Sequence, residues 1–269
     1  MRKQKAFTLI ELLVVISIIA LLLAVLMPSL KKAKRAAMDA VCKHNLKQWG
    51  LYWNMYFSDN NGDFPHHKQL AHTDRDILWV PVLEPYYEDP NSDIMLCPYF
   101  RNPIYDKNGE PTGIQPVYAT WDNYTKQEIN RLGWEEELIG MKGCYGWNDW
   151  AAYPRRMGPS GNKSLQWLSI LSVYEPGKVP LFMDAAGSPR VRVFETDEPP
   201  LLPEQGIGGS GHMRNICIPR HQDGINILFC DFSVKQVGIT DFWNLRWHRQ
   251  WPVDAQEPDW SQYPGIPSH

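Results

Sequence analysis

The chain opens with a long apolar stretch that predicts a helix. From Phe7 to Met27 the sequence runs for 21 residues with one charge, Glu11, and with neither Gly nor Pro. At about 1.5 Å per residue such a helix is roughly 30 Å long, which is enough to cross the hydrocarbon core of a bilayer. The pattern therefore predicts a transmembrane helix over residues 7–28.

The pattern then becomes amphipathic. Large apolar residues recur at spacings of 4, 4, 3, 4 and 3, which is the helical period; they are Met38, Cys42, Leu46, Trp49, Trp53 and Tyr56. We expect residues 29–57 to continue the helix with this stripe packed on a globular head, and the turn-forming run Ser58–Asp63 to end it. Pro28 predicts a kink or a short melted stretch near Ala24–Pro28, because its ring removes a hydrogen bond.

Residues 58–269 alternate short apolar runs with Pro- and Gly-rich turns, which is typical of an α+β head with long loops. Alternating residues from Ile225 onward, followed by Asp231 and Phe232, predict a β-hairpin. The fold prediction is α+β, with the long amino-terminal helix packed on a small antiparallel sheet. Further elements are expected at Ile94–Cys97, Val117–Trp121, Val179–Asp184 and Val191–Phe194 as strands, and at Thr125–Ile139 as a helix.

The charges are unevenly distributed along the chain. Nine of the 27 Lys and Arg residues but only two of the 30 Asp and Glu residues precede position 50, so the head carries 18 basic against 28 acidic residues. An acidic head argues against nucleic acid as a partner. The basic residues Arg2, Lys3 and Lys5 predict an amino terminus in the cytoplasm and a head outside.

The cysteines suggest one crosslink. The five are Cys42, Cys97, Cys144, Cys217 and Cys230, an odd number, so at least one is a free thiol. A Cys42–Cys97 disulfide tying the helix to the head is our first choice, with buried thiols as the alternative. No C-x-x-C motif or His/Cys cluster supports zinc, so we predict neither a metal nor a cofactor.

Aromatic residues crowd the carboxy-terminal segment. Trp243, Trp247 and Trp251 are spaced four apart and would share one face of a helix. Such a face could bind glycans or a secreted cargo, or could pack on the core.

The amino terminus resembles the class III leader of type IV prepilins and type II secretion pseudopilins, on the run from Lys5 to Val15 (KAFTLIELLVV). The resemblance implies a leader peptide of residues 1–6, which prepilin peptidase removes between Ala6 and Phe7, and methylation of the new Phe7 amine. The family usually has Gly where this chain has Ala6. Glu11 becomes the fifth residue, and the resemblance gives it an assembly role through pairing with the Phe7 amine of a neighbouring subunit.

Further pieces resemble a group of bacterial pilin-like proteins, among them WVPVLEPY at Trp79 and VPLFMDA at Val179. Their H-x9-D-G signature is read here as His221 and Asp231, with Phe232 where the Gly is expected. His221 could be a metal ligand or a catalytic base, but a structural hydrogen-bonding role is favoured because no nucleophile stands at a diagnostic spacing.

The sequence leaves three candidate functions for this protein. The favoured one is a non-enzymatic structural subunit of a type IV pilus-like or type II secretion pseudopilus filament. Its partners would be other pilin or pseudopilin subunits, prepilin peptidase and inner-membrane lipid, and its final location a periplasmic or cell-surface filament. The alternatives are a membrane-anchored or filament-borne binding module that uses the Trp-rich surface, and a tethered hydrolase that uses His221 and Asp231.

Overall fold

The computed structural model describes fourteen segments of the chain, which are residues 9–65, 79–87, 93–101, 103–105, 111–114, 143–152, 163–186, 189–199, 212–216, 218, 220–221, 224–252, 255 and 257–263. The chain divides into two compact units, Met1–Ala40 and Val41–His269.

The first unit is helical in its described part. Helix α1 covers Leu9–Asp59 and includes Pro28. Its most apolar window is fully exposed, and by length and composition this helix could cross a membrane. The predicted melted stretch at Ala24–Pro28 is wrong, because these residues are helical; one missing N–H does not interrupt the turns on either side, and the Ser29 hydroxyl donates to the Leu26 carbonyl at 2.8 Å. The kink stays a prediction.

Within the second unit, α1 buries the predicted stripe from Cys42 to Tyr56. The helix ends at Asp59, and the predicted turn follows, with Asn61 and Gly62 in the left-handed region at φ 54° and 79°. The Gly62 N–H donates to the Phe57 carbonyl at 2.7 Å, which satisfies a carbonyl of the last helical turn. A second, five-residue helix α2 covers Trp79–Leu83.

The head contains a five-stranded sheet, and its strands are β3 (Tyr145–Asn148), β4 (Pro180–Asp184), β5 (Arg190–Val191), β6 (Gly224–Phe229) and β7 (Val234–Gly238). Their order across the sheet is β5-β3-β4-β6-β7. A separate antiparallel pair consists of β1 (Pro103–Tyr105) and β2 (Pro111–Ile114). The α+β class is confirmed, but the sheet is mixed rather than antiparallel, because β5 pairs parallel to β3.

Of the predicted strands in the described residues, one is confirmed, one is confirmed in part and one is wrong. Val179–Asp184 is confirmed as β4, whereas Val191–Phe194 contributes only the end of the short strand β5. The strand predicted at Ile94–Cys97 is wrong, because Asp93–Met95 forms a 3-10 turn whose Leu96 N–H donates back to Asp93. Val117–Trp121 and Thr125–Ile139 lie outside the described residues.

Aromatic side chains join α1 to the sheet. Trp53 stacks on Trp147 of β3 with ring centroids 4.0 Å apart, and Trp49 lies 5.7 Å from the ring of Phe182 in β4. All four side chains are buried. Burial of several large rings at one contact is a strong source of hydrophobic stabilisation for the head.

The predicted hairpin is confirmed as β6 and β7. Its turn contains Phe232 at φ 61°, a left-handed conformation in the position where the resemblance led us to expect Gly. The Asp231 carboxylate accepts hydrogen bonds from the N–H and the hydroxyl of Ser233 at 2.9 and 2.6 Å. These hydrogen bonds join the residues on either side of Phe232 and stabilise the turn, so a bulky residue can adopt the left-handed conformation at position 232.

At the other end of the hairpin, Gly224 pairs closely with β7. A Cβ at Gly224 would overlap the backbone carbonyl oxygen of Val237, which cannot move without breaking the ladder. We therefore expect Gly224→Ala to lower the free energy of unfolding by about 1–3 kcal/mol, as overpacking does. The matched control is Gly50→Ala, whose Cβ would meet a movable Leu228 side chain at 3.1 Å. Equal thermal stability of the two variants would contradict this prediction.

Candidate functional site

The amino-terminal candidates lie partly outside the described residues. Ala6 and Phe7 fall outside them, whereas Glu11 lies in the first turn of α1 at an exposed position. Its neighbours on the helix are apolar and exposed as well. The roles predicted for cleavage, methylation and assembly at these residues stay predictions.

A buried polar cluster lies between α1 and the sheet of the head. It consists of Cys42, Cys97, Asp184 and His221, and one ligand atom from each lies within 4.8 Å of the other three. Cys42 is on α1, Asp184 is the last residue of β4, and His221 precedes β6. All four side chains are removed from solvent.

Hydrogen bonds around the cluster position Cys97 and His221. The Asn45 amide and the Trp49 indole N–H donate to the carbonyls of Leu96 and Ile94 at 3.2 and 3.0 Å, which fixes the segment before Cys97 against α1. The His221 N–H donates to the Gly224 carbonyl at 2.9 Å, which sets His221 at the entrance to β6. Three separate parts of the head thus converge on one face of α1.

Within the cluster the contacts are short. His221 Nε2 lies 3.0 Å from Asp184 Oδ2 and 3.4 Å from Cys97 Sγ. Cys42 Sγ lies 3.4 and 3.8 Å from the two oxygens of Asp184. Asp184 therefore contacts both the cysteine of α1 and the histidine of the head.

A second set of groups surrounds these four. Arg220 places its guanidinium 3.5 Å from Asp184 Oδ1 and donates to the carbonyls of Cys144 and Ala185 at 3.1 and 3.3 Å. The Asn226 N–H donates to Asp184 Oδ2 at 2.8 Å, and the Tyr145 hydroxyl lies 3.5 Å from Cys42 Sγ. Asp184 is thus held by charged and neutral donors on several sides.

Burial and the contacts within the cluster shift the pKa values of its members. Burial alone would raise the pKa of Asp184, but His221 and Arg220 hold it below its usual value. Burial would lower the pKa of His221, but the Asp184 carboxylate raises it to about 11. Burial would likewise raise the pKa of Cys42, but hydrogen bonds involving Cys97 and His221 lower it to about 7. Burial and its thiol neighbours raise the pKa of Cys97.

The two cysteines chosen for a disulfide lie in this cluster. Cys42 and Cys97 are free thiols in the structure, with sulfur atoms within 4.8 Å of each other. Cys144 is adjacent, since its sulfur accepts the Cys97 N–H, while Cys230 is a buried thiol directly after β6. The Cys42–Cys97 disulfide stays a prediction.

The two residues of the H-x9-D-G reading are far apart. His221 is buried in the cluster before β6, while Asp231 is exposed in the turn after it. The six residues of β6 separate them by roughly 20 Å at about 3.3 Å per residue. The structure therefore does not bring them together as an acid–base pair, and the role of His221 stays a prediction.

Of the two alternatives for the Trp-rich segment, packing on the core is confirmed and the binding surface is wrong. Trp243, Trp247 and Trp251 are 2%, 0% and 3% exposed, so they form part of the core and offer no binding face. Trp243 lies in a 3-10 helix that ends at Asn244, before Trp247. The spacing of four therefore arises from aromatic packing of an irregular segment.

Sequence reasoning missed the cluster as a unit. Its members are 55, 87 and 37 residues apart, so no local spacing could have indicated it. One signal was present, namely a carboxylate, Asp184, at the end of an otherwise apolar run. A charged residue in that position is buried only with partners.

One comparison with known proteins locates a family motif in the amino-terminal region. The family described as the prokaryotic N-terminal methylation motif matches residues 1–27. The chain is thus type IV pilin-like in this region and carries the methylation motif.

Among individual proteins, the chain is similar to the type IV wide pilus major component PilA4 of Thermus thermophilus. The two are 51% identical over 61 residues, which cover 23% of this chain and 47% of that protein. The chain thus spans about half the length of the curated relative that it matches. No solved structure matches the chain.

Proposed function

We propose that this protein is a structural, non-enzymatic subunit of a type IV pilus-like filament. The observation that carries the proposal is the methylation motif at residues 1–27 continuing into the exposed apolar half of α1. A helix of this kind needs lipid or other helices around it, because water solvates so much apolar surface poorly. A filament core of packed helices meets that requirement once the subunit leaves the bilayer.

Before assembly, the apolar half of α1 spans the inner membrane. The cations of residues 1–5 keep the amino terminus in the cytoplasm and the head outside. Prepilin peptidase and membrane lipid are the partners at this stage, and other subunits are the partners afterwards. The excess of acidic over basic residues in the head argues against nucleic acid as a partner.

Assembly depends on a charge pair. The methylated Phe7 amine of an incoming subunit is positive, and Glu11 of a neighbour is negative. Their pairing offsets the cost of two charges in an apolar core and fixes the axial stagger between subunits. The chain is also similar to PilA4, which is a pilus component, and this favours a surface pilus over a secretion pseudopilus.

Processing is the direct test. We expect the mature chain to begin at methylated Phe7, lacking Met1–Ala6, because a small residue precedes the cut. Intact-mass measurement and amino-terminal peptide sequencing of protein from native membranes check this. Ala6→Gly should be processed like the wild type, and Ala6→Leu should retain the leader. A wild-type chain that retains its first six residues would contradict the proposal.

Filament type is tested separately. Sheared surface material from cells that express the chain should contain filaments whose subunit has the processed mass. Loss of protein export on deletion of the chain, with no surface filaments in the wild type, would instead indicate a secretion pseudopilus.

A further inference from the structure

We propose that Cys42, Cys97, Asp184 and His221 bind one zinc ion at a structural site inside the head. Zinc is bound at about 2.3 Å by cysteine sulfur and about 2.0–2.2 Å by histidine nitrogen or carboxylate oxygen, usually with tetrahedral geometry. Tetrahedral ligand atoms at those radii lie about 3.3–3.8 Å apart. With Asp184 Oδ2 as the carboxylate ligand, His221 Nε2 lies 3.0 Å from it and Cys42 Sγ lies 3.8 Å from it, while His221 Nε2 lies 3.4 Å from Cys97 Sγ. These distances are close to the tetrahedral separations, and every pair lies within 4.8 Å.

The donor set selects the metal. Two thiolates, one imidazole and one carboxylate match zinc, whereas calcium and magnesium prefer oxygen ligands. Four protein ligands leave no open position, and all four side chains are buried, which is typical of a structural site rather than a catalytic one.

The surrounding charges are compatible with a divalent cation. Two thiolates and the Asp184 carboxylate carry three negative charges. A zinc ion together with the buried Arg220 guanidinium, 3.5 Å from Asp184, supplies three positive charges. The site would be electrically neutral, which a buried location favours.

Groups around the four ligands orient them, as outer-shell groups do in metal sites. Asn226 N–H holds Asp184 Oδ2, and Tyr145 lies beside Cys42 Sγ. The Tyr99 ring packs edge-on against the His221 ring with centroids 4.8 Å apart, which fixes the plane of the imidazole. Such outer contacts commonly determine ligand geometry and affinity.

The ion would join parts of the head that are distant in sequence. Its ligands come from α1, the segment after the Asp93–Met95 turn, the end of β4 and the entrance to β6. Binding at such a site stabilises the folded state, because the unfolded chain does not assemble the four ligands. A Cys42–Cys97 disulfide would exclude the ion, since it uses the same two sulfur atoms.

The test is the metal content of the full-length protein, purified from membranes in detergent without added chelator or metal. We expect about one zinc ion per chain by inductively coupled plasma mass spectrometry. Cys42→Ser and His221→Ala should each lose at least about nine-tenths of the bound zinc. Cys230→Ser is the matched control, because it removes a buried thiol outside the cluster, and it should retain the full amount.

A second measurement does not depend on the variants folding. Replacing zinc by Co²⁺ in the wild-type chain should give the intense visible absorption of tetrahedral cobalt and a near-ultraviolet thiolate-to-metal band. Substoichiometric metal together with a linked Cys42–Cys97 peptide under non-reducing conditions would overturn the proposal. Equal zinc in Cys42→Ser and the wild type, or a cobalt spectrum without the thiolate band, would also overturn it.

Discussion

Glu11→Ala is expected to give a chain that inserts in the membrane and loses its leader but forms no filaments. The substitution removes the one charge of the apolar stretch Phe7–Met27, so insertion becomes easier, not harder. In the proposed filament it leaves the neighbouring Phe7 amine without a counter-charge in an apolar core.

The size of the effect follows from the cost of an uncompensated charge. Removing one partner of a buried ion pair costs about 3–5 kcal/mol, which corresponds to roughly two to four orders of magnitude in subunit affinity. That loss recurs at every subunit, so filaments should disappear rather than shorten. Glu11→Gln keeps the shape without the charge and should fail as well.

The control is Ser17→Ala in the same stretch of α1. Ser17 already donates its hydroxyl to the Leu13 carbonyl of its own helix at 2.8 Å, so losing it should leave assembly intact. Insertion is measured by carbonate extraction, cleavage by intact mass, and assembly by electron microscopy of sheared material. Normal filaments from Glu11→Ala would refute the assembly role.

Elements defined by short-range pattern could be predicted from the sequence. The helix stripe Cys42–Tyr56 and the hairpin β6–β7 each repeat with the period of their own secondary structure, so their burial follows from local spacing. The melted stretch at Pro28 was wrong because the rule for proline describes one lost hydrogen bond, while the helix retains the others.

Features that depend on distant contacts could not be predicted. The parallel pairing of β5 with β3 depends on where the chain returns after β4, which no residue pattern encodes. The cluster of Cys42, Cys97, Asp184 and His221 likewise forms only when segments that are distant in sequence fold together. Predicting the Cys42–Cys97 disulfide placed two of these residues together but gave no reason to include the other two.

The tryptophans illustrate a different difficulty. A spacing of four is shared by a solvent-facing helix and by a segment that inserts side chains into a core, so periodicity alone did not separate the two. Hydrogen bonding separates them: the indole N–H of Trp247 donates to the Phe242 carbonyl at 2.9 Å, and that of Trp251 donates to the Trp243 carbonyl at 3.2 Å. The indole N–H groups of these two buried residues are thus both satisfied within the carboxy-terminal segment.

Trp247→Ala is therefore expected to destabilise the head strongly. The side chain is fully buried, and the backbone carbonyl of Trp247 accepts a hydrogen bond at 3.0 Å from Asn148 Nδ2 in β3, which also donates to the Pro180 carbonyl at 2.8 Å. Removing the indole leaves a large cavity where the carboxy-terminal segment contacts the sheet. Replacing a buried Trp by Ala costs about 3–5 kcal/mol, which for a domain of this size lowers Tm by roughly 10 °C.

Trp260→Ala is the matched control, since it is the same substitution in the same part of the chain. Trp260 is half-buried, and its indole donates to Glu257 at an exposed position at 3.4 Å, so its loss should cost about 1 kcal/mol or less. Thermal unfolding of the full-length chain in detergent, followed by near-ultraviolet circular dichroism, compares the two. Trp247→Ala with wild-type stability would contradict the burial of this segment, because a side chain that can be removed without cost does not hold the carboxy-terminal segment on the sheet.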